Sequence, residues 1–511
     1  MRARLRAAGI AAAWLLSACA GSYVSRAPPS PATSWRPASG ELHDFTLPEE
    51  KSLPVPEESP TPIDAERVYN LPELIDIAES SNPDTRIGWE RARQAALGVG
   101  LAKAEYLPTI SALALGGFRH TSVPALEVKN IVISPASESA PGISVPVPVG
   151  TTGRVGVDTF DVLPFLAIRW QLLDFGRSSG VDAAEHFSVA ANLSFTAEHQ
   201  KVVLDVTRAY LRLGAARAQA AVARDALERT RGIAKAVQAR FGRGLATTVE
   251  TAEARREVAQ AEYNLSQAEA IETAVYTALL STMGIDPLLK LNVVTDRSRD
   301  LPPHLLQQTD EYLHAALKTR PDLQAALALR SSADAIVSKS EATFLPRMSI
   351  LGTAGTALLG ARLDGGSFLT SNLPNAGVML SFDWLLFDGG IRDAQTEIAR
   401  SRRNEAEQTI AKLQRQTTQE VVSTYNEVNA SLSRYKAASS LEKTAAVAED
   451  AVTKSYANGL STLTDALSAQ KARFLASAAK EQAFADALIS ATALAFASGQ
   501  LGSAKAVPDL K

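Results

Sequence analysis

The run from Ile391 to Asn458 reads IRDAQTEIARSRRNEAEQTIAKLQRQTTQEVVSTYNEVNASLSRYKAASSLEKTAAVAEDAVTKSYAN and holds neither proline nor glycine over 68 residues. Nothing in it interrupts a helix, because proline removes a backbone donor and glycine weakens a helix interior. At about 1.5 Å per residue it makes a rod of roughly 100 Å. A second run without proline, Ser178 to Phe241, covers 64 residues and makes a rod nearly as long. No globular domain encloses such rods. Apolar positions recur at helical spacing, Val202, Leu204, Val206, Tyr210, Leu211 and Leu213 in one and Val421, Val422, Tyr425 and Val428 in the other, with Glu, Gln, Arg and Lys between them. Each rod, 178–241 and 391–458, turns at a Gly-Leu pair and returns through a second helix, expected over 249–283 and 463–497. Such a hairpin buries its seam only against other hairpins. An isolated coiled-coil stalk would satisfy the helices but leave the strands below unused.

Outward from the rods, the chain is written twice. Ala78-Glu79-Ser80-Ser81-Asn82-Pro83-Asp84 answers to Ala316-Leu317-Lys318-Thr319-Arg320-Pro321-Asp322, and Tyr106-Leu107-Pro108 to Phe344-Leu345-Pro346, both offset by 238. Trp170 to Asp174 answers to Trp384 to Asp388 at 214, and Gly244-Leu245 to Gly459-Leu460 at 215. The shared order marks one large duplication. The fall from 238 to 214 puts 24 extra residues of the first copy between Pro108 and Trp170. With Pro124, Pro135, Pro141, Pro146 and Pro148, that interval is expected to be a long surface loop.

Each copy repeats one plan: a short helix, a Pro-Asp start to a helix (83–105; 321–343), Leu-Pro, two strands, then a long helix hairpin. Strands are expected near 108–122 and 160–173, and near 346–359 and 376–387. Val378, Leu380, Phe382, Trp384 and Leu386 fall on one face, with Ser381 and Asp383 on the other; Leu166, Ile168, Trp170 and Leu172 alternate with Ala167, Arg169 and Gln171. Alone, this alternation describes a half-buried sheet edge. A terminal Trp and a Gly-rich turn also suit lipid on one side and water on the other. The repeats span 69–290 and 309–500, joined by 291–308 and followed by a tail, 501–511.

Composition excludes several classes of function. Hydrophobic residues make up 46% but aromatics only 6%, so Ala, Leu and Val supply the apolar surface, as in closely packed helices. Net charge is −3 and no Lys/Arg cluster stands out, which argues against a nucleic-acid partner. One cysteine, Cys19, excludes an intrachain disulfide framework, and six scattered histidines argue against a metal cage. No P-loop, G-x-S-x-G elbow or H-E-x-x-H helix occurs, so neither an enzyme activity nor a cofactor is expected. Gly389-Gly390 reads as a turn rather than a phosphate cradle.

At the N-terminus, Arg2, Arg4 and Arg6 precede an apolar run from Ala7 to Leu16, an export signal over 1–18 too short to span a bilayer. Leu16-Ser17-Ala18-Cys19 resembles the bacterial lipobox, in which Cys19 becomes the acylated first residue; a signal cut by the general peptidase is the alternative. Ala20 in place of Asp leans, by resemblance to lipoprotein sorting, toward the outer membrane. Acyl chains anchor without spanning. Nine prolines between Pro28 and Pro62 mark 19–68 as an extended tether.

Two copies of this plan, with Leu172-Leu173-Asp174-Phe175-Gly176-Arg177 and Leu386-Phe387-Asp388-Gly389-Gly390 after strands and two Gly-Leu helix turns, resemble the TolC-like outer-membrane efflux duct family over residues 70 to about 500. The resemblance implies an all-α tunnel joined to a transmembrane β-barrel. Three protomers would each give four strands to a twelve-stranded barrel and four helical elements to a periplasmic tunnel. Four strands alone cannot close, since about eight is the usual minimum. Partners so implied are two further copies of the chain, a periplasmic adaptor, an inner-membrane pump and outer-membrane lipid. The function so implied is passive export of small molecules. Type I protein secretion is the nearest alternative, and a coiled-coil scaffold without a pore is one of a different class.

By the same resemblance, Gly244, Leu245, Gly459 and Leu460 dock the adaptor; read plainly, they cap helices. Glu250 and Asp465, six residues after each glycine, match acidic gate positions, where three Asp465 carboxylates near an axis would raise one another's pKa and attract cations. Read plainly, both complement a helix N-terminus. Tyr456, three before Gly459, matches a tyrosine that restrains the closed tip through Glu250. The chain departs from the family pattern at Ser461, where an arginine is expected, and at Ser468, where a second acid is expected.

Overall fold

The computed structural model describes residues 64, 66–133, 143–295, 301–302, 304–305 and 308–501. These all belong to one unit, Thr61–Lys511. The export segment 1–18, the lipidation site Cys19, the tether as far as 63, Pro135, Pro141 and the tail from 502 lie outside the described residues.

The elements follow the duplication. The first copy comprises β1 (Val68–Tyr69), α1 (Leu71–Ser81), α2 (Pro83–Ala104), β2 (Thr109–Ile133), β3 (Ile143–Leu173), α3 (Arg177–Phe241) and α4 (Thr248–Met283). After β4 (Asn292–Val293) come α5 (Thr309–Thr319), α6 (Pro321–Glu341), β5 (Arg347–Leu363), β6 (Leu369–Asp383), α7 (Ile391–Ala457) and α8 (Leu463–Ala497). Local chemistry sets the helix starts. Asn70 and Glu73 form a capping box, Asn82 accepts from the Asp84 N–H at 2.7 Å, and Pro83 and Pro321 occupy first turns, where no donor is needed. The rods α3 and α7 run unbroken for 65 and 67 residues.

The helices pack as side-by-side hairpins, α3 with α4 and α7 with α8, and α8 also lies along α3. Around the middle of α3, Leu74 and Ile75 of α1, Val203, Val206 and Leu213 of α3, and Leu279, Leu280 and Met283 of α4 form the main apolar cluster. Burying each such side chain is worth about 1.5–3 kcal/mol. The parallel pair β1–β4 ties the entry of the first copy to the connector.

A four-stranded antiparallel sheet in the order β2-β3-β5-β6 joins the copies through β3 and β5, leaving β2 and β6 as open edges. The structure corrects two expectations here. The 24-residue insertion is not a loop over its described part: β2 and β3 continue as a two-stranded ribbon to the Ile133–Ile143 pair. Its prolines fit because β5 joins β3 only from Val157, so Pro124, Pro146 and Pro148 lie where each strand has a free edge and can omit a donor. Secondly, β6 begins at Leu369 and ends at Asp383, so Trp384 and Leu386 lie beyond the strand. Asp383 already faces Arg347, the first residue of β5, and no partner strand remains.

Candidate functional site

Two regions combine geometry with chemistry: the far ends of the helix hairpins and the apolar face of the sheet. At the first hairpin end, Gly244 adopts φ 73° and its N–H donates to the Phe241 carbonyl at 2.9 Å, while the Leu245 N–H reaches back to Arg240 at 2.9 Å. At the second, Gly459 adopts φ 76°, its N–H reaches Tyr456 at 3.0 Å and the Leu460 N–H reaches Ser455 at 2.9 Å. Both are the paired-bond helix stop that needs a left-handed residue, a conformation costing other residues about 1–2 kcal/mol. The next side chain is thrust outward: Leu245 is 63% and Leu460 82% exposed.

The returning helices start on matching capping boxes. Thr247 Oγ1 accepts from the Glu250 N–H at 3.1 Å while a Glu250 carboxylate oxygen accepts from the Thr247 N–H at 2.6 Å. Thr462 and Asp465 do the same at 3.1 and 3.0 Å. Bonds from the Thr247 backbone and hydroxyl hold the Glu250 carboxyl below its ordinary pKa, and bonds from the Thr462 hydroxyl and backbone do so for Asp465. Within one protomer the capping bonds therefore act on Asp465 in the opposite sense to the mutual repulsion of a threefold ring.

Tyr456 is only 3% exposed, and its hydroxyl makes no hydrogen bond, to Glu250 or to any other described residue. Its contact across the two hairpins is with Arg240 of α3, a residue the sequence reading missed. Arg240 Nη1 donates to the Tyr456 carbonyl at 2.7 Å, and the guanidinium carbon lies 4.9 Å from the ring centre. Burial raises the Tyr456 pKa, Arg240 opposes the rise, and the nearby negative charge of Glu250 adds to it. The duplication held one signal: the counterparts of Arg240 and Tyr456 at offset 215 are Ser455 and Phe241, so the two copies differ where they meet. Around this contact, Ile233, Val237, Ala254, Leu463, Ala466 and Leu467 pack into one cluster spanning both hairpins. Ser461 donates to the Val452 carbonyl at 3.2 Å, within its own hairpin. Further along, buried Glu449 of α7 pairs with Arg473 of α8 at 2.9 Å and Arg229 of α3 at 3.5 Å.

Strand register sorts the sheet into two faces. Pairs Ile110–Ile168, Phe118–Phe160, Val162–Leu358 and Trp170–Ile350 share one face; Thr109–Arg169, Arg119–Thr159 and Gln171–Ser349 share the other. From Trp170 to Phe160 the strand advances about ten residues, roughly 33 Å along the strand and roughly 25 Å along the normal at the usual barrel tilt. That matches the apolar band of an outer-membrane barrel. Its lower edge is built twice: Trp170 Nε1 donates to the Tyr106 carbonyl at 3.0 Å, and Trp384 Nε1 to the Phe344 carbonyl at 3.1 Å. Arg177 and Arg392 stack on Tyr106 and Phe344 at 4.6 and 4.8 Å. Among the described residues, no helix is long and apolar enough to cross a membrane. Among the same residues, no cluster of His, Cys, Asp or Glu side chains could hold a metal ion.

A protein-family model described as outer membrane efflux protein matches residues 74–284 and 312–500. The chain is 28% identical over 359 residues to outer membrane protein OprJ of Pseudomonas aeruginosa, covering 67% of this chain and 65% of that protein. It is 25% identical over 299 residues to protein CyaE of Bordetella pertussis, covering 57% of this chain and 56% of that protein. The matches thus span about two thirds and just over half the length of these curated relatives. Among solved structures, the CmeC outer membrane channel of Campylobacter jejuni superposes with a TM-score of 0.66 at 18% identity, covering 84% of this chain and 85% of that one, a likeness of fold.

Proposed function

The chain belongs to the outer membrane efflux protein family, and from that premise we propose that it is the outer-membrane duct of a tripartite export system, passing small molecules outward. Three copies close a twelve-stranded barrel, and their helix hairpins continue the wall into the periplasm as a tunnel. A periplasmic adaptor grips the hairpin ends through Gly244, Leu245, Gly459 and Leu460, and an inner-membrane pump supplies the energy. Glu250, Asp465 and Tyr456, with Arg240, hold the narrow end. Residues 1–18 direct export, Cys19 carries the lipid, and the tether to 68 links it to the duct. The chain itself is a conduit without chemistry of its own.

One observation carries this reading: a four-stranded sheet with two open edges and a band of roughly 25 Å is continuous with rods of roughly 100 Å. Open edges do not survive in hydrocarbon, so the sheet must close with copies of itself. The purified protein is expected to be trimeric and to conduct in a planar bilayer; a monomer without conductance overturns the reading. Palmitate labelling should vanish in Cys19→Ser, whereas labelling that persists removes the lipid anchor.

A further inference from the structure

A hollow of about 280 Å³ lies alongside α3 where the end of α4 meets the start of α2, lined by Asp84 of α2, by Glu198, Lys201 and Asp205 of α3 and by Thr282 of α4. Asp205 has a 4.0 Å contact to Arg208, one turn along its own helix, and among the described residues Asp84, Glu198 and Lys201 form no ion pair. Counting Lys201 against Glu198 leaves the charges of Asp84 and Asp205 in excess around the hollow.

The second repeat holds the same place filled. At offset 238 the counterparts of Asn82 and Asp84 are Arg320 and Asp322, and at 215 those of Asp205, Ser281 and Thr282 are Glu420, Phe496 and Ala497. There Arg320 is 8% exposed, and its Nε and Nη2 donate to the two Asp322 carboxylate oxygens at 3.1 and 2.7 Å. Its Nη1 donates to Glu420 at 2.7 Å and to the Ala497 carbonyl at 3.2 Å, and the guanidinium carbon lies 5.9 Å from the Phe496 ring centre. The backbones match: a Cβ on Gly284 would lie 2.8 Å from Asn82 Cα, and one on its counterpart Gly499 would lie 3.1 Å from the Arg320 nitrogen. In the first repeat both acids remain, but asparagine stands for the arginine and serine for the phenylalanine. Asn82 Nδ2 donates to the Thr282 carbonyl at 2.9 Å, repeating the Arg320–Ala497 bond without its charge. Glu198 and Lys201 stand where the second repeat has Leu413 and Gln416, and their charges offset one another.

The hollow faces the bore and not a neighbouring copy. Val203, Val206 and Tyr210 of α3 cluster with Leu74 and Ile75 of α1. At about 100° per residue, Glu198, Lys201 and Asp205 leave α3 about 140° away from that side. In the proposed duct, three copies of α1 and of its counterpart α5 form a second layer on one side of the helix wall. That layer fits outside the ring and would fill the bore, so the opposite side is the lumen. Because α6 and α8 pack on α3, the repeated contact sets α2 and α4 between the hollow and the next α7.

We infer that the hollow binds a guanidinium or amidinium group of a small molecule travelling along the bore, in the place that the Arg320 head group holds in the second repeat. A planar fork of donors suits paired carboxylates, and Pro83 and Val202 give the hollow apolar walls. Among the described residues no group of acids could hold a metal ion, so the site suits a wider cation. The inference rests on the duct reading and names a class of cargo.

The test titrates the full-length trimer in detergent with benzamidine and with its uncharged isostere benzamide, followed by calorimetry. Benzamidine is expected to bind at least tenfold more tightly, and Asp84→Asn/Asp205→Asn should bring it to the level of benzamide while trimers persist. Asn82→Arg, which restores the arginine of the second repeat, should abolish binding by filling the hollow from within. Equal binding of the two ligands, or benzamidine binding unchanged in both variants, overturns the proposal. In a planar bilayer the double variant should also lose cation preference, read as a reversal potential closer to zero in a salt gradient. An unchanged potential puts the hollow outside the bore and overturns its role toward cargo. Loss of conductance in the unmodified protein would instead sink the duct reading, so the two failures are distinguishable.

Discussion

Arg240 and Tyr456 sit 216 residues apart in sequence, and their contact joins the two hairpins at the tip. A charge-assisted bond to a carbonyl is worth about 1.5–3 kcal/mol, and stacking on a ring about 0.5–1 kcal/mol at an exposed site. Arg240→Ala should therefore raise resting conductance and lower the trimer melting temperature, with Arg240→Lys between it and wild type; single-channel recording and thermal melts check both. Glu250 separates two roles in one residue. Glu250→Gln keeps a capping partner but removes the charge, so unchanged melting with reduced cation preference assigns it to a gate. Unchanged preference leaves it as a cap. For pH, both capping carboxylates have folded pKa values below their unfolded ones, so their stabilisation is complete above about 4.3 and lost as pH falls through the lower folded value. Melting of the tip should be flat from pH 5 to 8 and fall only in stronger acid. The glycine turns and the Thr-x-x-acid boxes were legible in sequence because their bonds span five residues or fewer. Arg240 was not, because nothing local distinguishes it from any surface arginine.

At the scale of elements, the long helices were legible from an absence of breakers, and the strand alternation from its period of two. The insertion was misread because five prolines usually mean loop, a rule that holds for central strands. In a two-stranded ribbon each strand has an edge on which a missing N–H leaves nothing unpaired. The ribbon also stands apart from the rest of the sheet, since β3 pairs with β5 only as far as the Val157–Leu363 pair. Replacing residues 127–150 with a short glycine turn should therefore leave trimer melting within about 3 °C of wild type, a change of under 1 kcal/mol for so large a protein. Conductance should persist in a planar bilayer. A loss of trimers would show that the ribbon holds the barrel together.

At the scale of the whole molecule, the duplication gives each protomer two similar hairpins, and in the proposed duct three copies make six, with seams alternating within and between protomers. The seam within a protomer is visible: Arg229 of α3 meets Glu449 of α7, which is held by Arg473 of α8. Glu449 is buried between two partly exposed arginines, so removing one of them leaves it the other and costs less than breaking a fully buried pair, about 3–5 kcal/mol. The seam between protomers lacks this node, since the counterparts of Glu449 and Arg229 are Ala234 and Thr444. On the proposed duct reading, the seam between protomers is expected to be the weaker of the two and the one where opening begins. Shifting the register by 215 turns the observed Arg229–Glu449 contact into a contact of Thr444 with Ala234 of the next copy. A protein carrying Ala234→Cys and Thr444→Cys, treated with a short bismaleimide, should give covalent dimers and trimers on a denaturing gel and a conductance fixed near its resting value. The pair Arg229→Cys and Glu449→Cys should crosslink without forming a ladder. Ladders from both pairs, or from neither while trimers persist on gel filtration, would show that the copies do not meet in the register set by the duplication.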